Sequence, residues 1–236
     1  MSKQRSKRYR KAAEQVGSDK SYSLKDAIST MKSLPAPKFT PTVTLSFKLG
    51  VDPRKSDQMV RGSVSLPHGS GKNVRVVVFA QGAAAEAAVA AGAEHVGYED
   101  LIKKIQEGFV DFDSAIATPD AMAEVRKIAR VLGPRGLMPN PNSGTVTDDV
   151  AKAVKEVKAG RIDYKLDKNG NISGAIGKAS FDEVQLEENA RAFLDSVVRS
   201  KPASAKGNFV QAVTLAASML PGLPLEAASY TTKATA

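Results

Sequence analysis

The sequence predicts an α+β protein of two domains. One is a split α+β domain made from both ends of the chain, residues 1–67 and 160–236. The other is an inserted α/β domain with a parallel sheet, residues 68–159. Three observations lead there. Charge is unevenly placed: residues 1–67 carry 14 Lys+Arg against 5 Asp+Glu, residues 68–159 carry 11 against 12, and residues 160–236 carry 9 against 8. Patterning changes with it, from apolar residues alternating with polar ones to near-continuous apolar runs, the mark of strands covered on both faces. The chain also passes between the two patterns twice, at Pro67-His68-Gly69-Ser70-Gly71-Lys72 and again at Ala159-Gly160-Arg161.

Each element can be justified in turn. Residues 1–11, MSKQRSKRYRK, hold six basic residues and no acid, an arm of the kind that orders on nucleic acid. Ser23-Leu24-Lys25-Asp26 has the form of a capping box, and Ala27, Ile28, Met31 and Leu34 follow at helical spacing until Pro35 and Pro37 stop the helix. Residues 42–49, TVTLSFKL, alternate: Val43, Leu45, Phe47 and Leu49 face one way, Thr42, Thr44, Ser46 and Lys48 the other. That second face is hydroxyl-rich with one lysine and no acid, which suits phosphate and ribose. A basic turn carrying Arg54 and Lys55 follows, then a strand over residues 59–66.

In the middle segment, residues 74–80, VRVVVFA, read as a buried strand. Gly82 opens an alanine-rich helix to about residue 91. His95-Val96 is a short strand, 99–106 a helix, 114–118 a buried strand and 121–131 a helix entered through Pro119. Gly133-Pro134-Arg135-Gly136 begins a long connection, and Thr147 caps a last helix over 148–158. Alternating strands and helices give a parallel sheet between helical layers. Beyond Gly160, strands over 161–166 and 171–176 flank Asn169-Gly170, a hairpin signal. Ser180-x-x-Glu183 is a second capping box, starting a helix to about residue 199. Residues 208–217 form a final strand, and residues 218–222 turn after it.

Composition narrows the function. A net charge of +9 concentrated in one domain points to a polyanion partner for that domain. Cysteine is absent, which excludes disulfides and thiolate chemistry, and His68 and His95 are too few for a metal cluster. No apolar run approaches the ~20 residues needed to span a bilayer, and no apolar stretch follows the basic start as in a secretory signal. The expectation is a cytoplasmic protein without a membrane partner. Gly69-Ser70-Gly71-Lys72 is not a P-loop: Leu66 and Asn73 stand where glycine and Ser/Thr are needed. No dinucleotide fingerprint follows residues 74–80, and no catalytic constellation stands out, so neither an enzyme nor a bound cofactor is expected.

Several stretches together resemble the ribosomal protein L-one family, in its bacterial form: VDPRKSDQMVRGSVSLPHGSGK (51–72), ARVLGPRGLMPNPNSGTV (129–146), KAGRI (158–162), DKNG (167–170) and IGKASF (176–181). The resemblance spans essentially the whole chain. It implies an RNA-binding domain made of both termini and a Rossmann-like insert without a nucleotide. It also implies a place on the mobile stalk of the large ribosomal subunit, with large-subunit ribosomal RNA, exit-site tRNA and the protein's own operon message as partners, and a monomer when free. On this likeness Lys38, Phe39, Thr42, Asp167, Lys168, Ser218 and Met219 face RNA, joined by Thr44, Ser46, Lys48, Arg54, Lys55 and Lys165. By residue type alone Phe39 and Met219 read as readily as core. Leu220 stands where the family usually has glycine.

Overall fold

The computed structural model describes residues 5–17, 20–205 and 207–226. Its elements run α1 (Lys7–Val16), α2 (Leu24–Ser33), β1 (Thr42–Leu49), β2 (Arg61–Ser65), β3 (Val76–Phe79), α3 (Ala83–Ala90), β4 (His95–Gly97), α4 (Glu99–Gln106) and β5 (Ser114–Ala117). They continue with α5 (Met122–Val125), α6 (Ala129–Leu132), α7 (Val150–Lys158), β6 (Arg161–Lys165), β7 (Asn171–Lys178), α8 (Glu183–Arg199), β8 (Val210–Ala217) and β9 (Leu223–Leu225). Two compact units result: one of the described residues up to Gly71 and from Ile162 on, the other Lys72–Arg161.

The split unit is built on a four-stranded sheet in the order β7-β1-β8-β9, in which each neighbouring pair is antiparallel. The alternation of β1 sets its layering. Val43, Leu45, Phe47 and Leu49 are buried with Leu24, Ile28 and Met31 of α2 and Leu186, Ala190, Phe193 and Val197 of α8. Phe193 is the hub: its ring meets Phe47 edge-on at 5.4 Å and Tyr164 at 5.5 Å. Gly174 of β7 lets that ring in, since a Cβ there would sit 2.6 Å from the Phe193 ring. A second small sheet pairs β2 with β6.

The inserted unit has three parallel strands in the order β4-β3-β5. All four residues of β3 are buried. Val76 and Val78 pack with Ala88 of α3 and Val150, Ala153 and Val154 of α7. Val77 and Phe79 pack on the other side with Ile102 and Ile105 of α4, Val125 and Leu132. Helices on both faces explain the unbroken apolar run. The connection after Gly133 returns along the sheet, with an isolated parallel bridge from Val146 to Ala117.

Several expectations need correction. Residues 7–16 form helix α1, capped by Ser6 and anchored by buried Ala12 and Val16, where a charged arm was expected; Met1–Gln4 lie outside the described residues. The turn at Asn169-Gly170 reverses the chain, but its flanking strands are not partners: β6 pairs with β2 and β7 with β1. A tight turn fixes only a local reversal; strand partners follow from which apolar faces are buried together. Residues 121–131 are two short α-helices joined by a 3₁₀ turn, Arg126–Ile128, where one helix was expected. Asp182 with Gln185, not Ser180 with Glu183, makes the capping box of α8, and Asp149, not Thr147, caps α7.

Candidate nucleic-acid interface

With helices over one face of the large sheet, the residues that alternate with the core strand face define the other. Ser46 lies between Ser173 of β7 and Thr214 of β8; Thr44 lies between Ala175 and Ala216. Lys48 lies between Asn171 and Ala212, and Thr42 is opposite Lys178. Ser46 Oγ and Ser173 Oγ are 2.9 Å apart, and Thr44 Oγ1 donates to the Ala216 carbonyl at 3.3 Å. The face is therefore short-chained and hydroxylated along its middle, with lysines at its ends and no acid in these rows. Ser173, Lys178 and Thr214 complete it and were missed from sequence, because strand register is not local information.

At the Thr42 end stands a turn. Leu220 N–H donates to the Ala217 carbonyl at 2.9 Å, placing Met219 third in a β-turn with φ 65°. That is the left-handed position such turns reserve for glycine. Leu220 is not the residue with positive φ, so its departure from the family's glycine does not touch the strained position. Ser218 N–H binds the Thr42 carbonyl at 3.0 Å, and its hydroxyl reaches the same oxygen at 3.4 Å. Met219 is 67% exposed and Phe39 51%, so neither is a core residue. Arg8 of α1 holds this end: its guanidinium donates to the Met219 carbonyl at 2.9 Å and the Pro35 carbonyl at 3.1 Å. Lys38 is exposed.

The Leu49 end carries the other predicted cluster. Leu49 N–H binds the Gly170 carbonyl at 2.9 Å, docking the 167–171 turn on β1. Asp167 builds that turn: its Oδ1 accepts from the N–H groups of Asn171 at 2.7 Å and Asn169 at 2.8 Å. These bonds, the Asn171 N–H foremost, hold its carboxyl below the usual range. Asp167 is thus a turn-former, and exposed Lys165 and Lys168 carry the outward charge. Pro53 and Met59, from the stretch that also exposes Arg54 and Lys55, border Lys165–Lys168. The predicted residues thus form two clusters at opposite ends of β1, ~20 Å apart at the rise of a strand, joined by the open face.

The wider relationship follows from comparison with known proteins. Residues 26–221 match the model of the ribosomal protein L1p/L10e family. The chain belongs to that family. It is 57% identical over 221 residues to the large ribosomal subunit protein uL1 of Mycolicibacterium smegmatis, covering 94% of each chain. It is 55% identical over 222 residues to the protein of the same name from Beutenbergia cavernae, covering 94% of this chain and 93% of that one. The protein of that name from Thermobifida fusca is 53% identical over 222 residues, with 94% of each chain covered. These relatives are named as ribosomal proteins, not enzymes. The family match begins at Asp26, so α1 and its Arg8 clamp lie outside it. Among the described residues, no helix is long and apolar enough to cross a membrane.

Proposed function

We propose that the chain is a structural component of the large ribosomal subunit in the cytoplasm, and that its split unit binds large-subunit ribosomal RNA at the mobile stalk. The observation that carries this reading is the bare face of the β7-β1-β8-β9 sheet, with exposed Phe39 and Met219 at one end and Lys165 and Lys168 at the other. Folded RNA presents 2′-hydroxyls and base edges across a shallow groove, and single-stranded loops present faces for stacking. Short hydroxylated side chains meet the first, and an exposed ring meets the second. Thr42, Thr44, Ser46 and Ser218 supply donors and acceptors, while Lys38, Lys48, Arg54, Lys55, Lys165 and Lys168 neutralise phosphate.

Family membership supports two finer roles: contact with exit-site tRNA that assists release of the deacylated molecule, and repression of the protein's own operon message through an RNA site like the ribosomal one. The free protein is a monomer in this reading. Binding of the purified full chain to a stalk RNA fragment, titrated at several salt concentrations, tests the core of it. Affinity falls with a slope of roughly −0.7 to −0.9 per phosphate contacted. Binding equal to that of an unrelated RNA of the same length would overturn the reading.

A further inference from the structure

We propose that a cavity at the Leu49 end of the split unit takes a single unstacked RNA base. This rests on the RNA-binding reading above. The cavity, about 470 Å3, is lined by Pro53, Met59, Lys165, Leu166, Asp167 and Lys168. Its floor is apolar. Leu166 is only 6% exposed, whereas Met59, at 44%, is one of five large apolar side chains left open among the described residues. Both rim lysines are exposed. Asp167, the one acid in the lining, is engaged by its own turn, its Oδ1 accepting from Asn171 N–H at 2.7 Å and Asn169 N–H at 2.8 Å.

The walls are fixed in advance. Lys55 N–H binds the Asp52 carbonyl and Gln58 N–H the Lys55 carbonyl, both at 3.1 Å, while Asp52 N–H donates to Gln58 Oε1 at 2.8 Å. Leu166 N–H binds the Val60 carbonyl at 2.9 Å and holds the floor. An apolar, preformed hollow of this size suits a ligand of roughly nucleoside dimensions. The Met59 thioether packs well against an aromatic ring, and unpaired bases are the aromatic rings RNA can splay out. The lysines then meet the phosphates on either side of that base. An acyl chain or apolar peptide would fill the floor but leave both ammonium groups without a counter-charge.

The test uses the full chain and a stalk ribosomal RNA fragment in which each unpaired nucleotide is made abasic in turn. One abasic position weakens binding roughly twofold to tenfold, the range of a sulfur–ring contact. Met59→Ala weakens binding of intact RNA by the same factor, and the two changes together lose no more than either alone. Met59 is exposed, so the fold survives its change; Met59→Gln, of similar length but polar, shows the same loss, and Met59→Leu, apolar but without the sulfur, loses less than Met59→Ala but does not reach wild type. Normal wild-type binding with no sensitive abasic position, an unaffected Met59→Ala, or losses that multiply overturns the base site alone. Failure of the wild type to bind the fragment overturns the RNA-binding reading and the base site with it.

Discussion

The sheet of the split unit and the sheet of the inserted unit differ in what they leave uncovered. In β3, Val76 and Val78 meet α3 and α7 while Val77 and Phe79 meet α4 and its neighbours, so neither face is open. In β1, Val43, Leu45 and Phe47 meet α2 and α8, while Thr42, Thr44 and Ser46 stay only half-buried. Parallel connections pass through helices that must cover both faces; antiparallel strands can leave one face bare. The positive charge goes with the bare face. The inserted unit instead spends much of its charge on internal pairs: Lys72 with Asp113 at 2.6 Å, Arg75 with Asp111 and Asp113, Lys158 with Glu94 at 2.8 Å and Arg161 with Glu156 at 2.7 Å.

Four experiments break or sharpen this contrast. The largest effect is expected from Phe193→Ala, which empties the centre of the split unit and costs it about 3–5 kcal/mol. Unit-resolved hydrogen exchange should show lost protection in β1, β7 and β8, unchanged protection in β3 and β5, and RNA binding lost with the first set. Equal loss in both units would show that they are one cooperative body. Next, Ser46→Glu puts a carboxylate on the bare face without disturbing the core. Affinity should fall about tenfold or more, since a like charge is brought against phosphate, while the melting temperature holds. Val184→Glu, on an exposed position of α8, is the control and should bind normally.

A smaller loss is expected from Arg8→Ala. It removes two hydrogen bonds that hold the Met219 and Pro35 carbonyls, each worth about 1 kcal/mol in a part-exposed setting. The left-handed Met219 turn loosens, and RNA affinity falls severalfold with little change in the salt slope, because no phosphate contact is lost. An affinity loss that vanishes at high salt would make Arg8 a phosphate ligand instead. The smallest effect concerns the inserted unit alone. The hydrogen bond from Lys72, aided by Arg75, holds the Asp113 carboxyl down to about 2. A carboxylate depressed in the folded state stabilises above its unfolded value of about 3.9, and that stabilisation is lost as pH falls through 2. Between pH 4 and 2, protection of β3 and β5 should therefore decline, and Asp113→Asn should flatten the decline while leaving RNA binding at neutral pH intact.

How much was legible differs between regions for local reasons. Helix α4 reads directly from Glu99–Gln106 because its acids sit in the first turn and its lysines in the last, with Leu101, Ile102 and Ile105 inward. The open strand face reads from alternation alone. Helix α1 did not, because its basic residues mask Ala12 and Val16, the two positions that bury. Phe39 and Met219 were ambiguous by type, and exposure separates them from the core. Asp167 is expected to face RNA on its family position, and the structure adds a role the sequence did not show: its Oδ1 builds the turn that presents Lys168.

By itself, then, the sequence determined the division of charge, the covered and uncovered strand types and the family. These are properties of residue order within a few turns or a single strand, and local periodicity encodes them. Tertiary structure decided which strands are partners. Ser173 and Thr214 flank Ser46, β6 leaves β7 for β2, and Arg8 reaches Met219 across more than two hundred residues. The site is an assembly of residues distant in sequence, placed by burying Phe47, Phe193 and their neighbours together, and no window along the chain carries that arrangement.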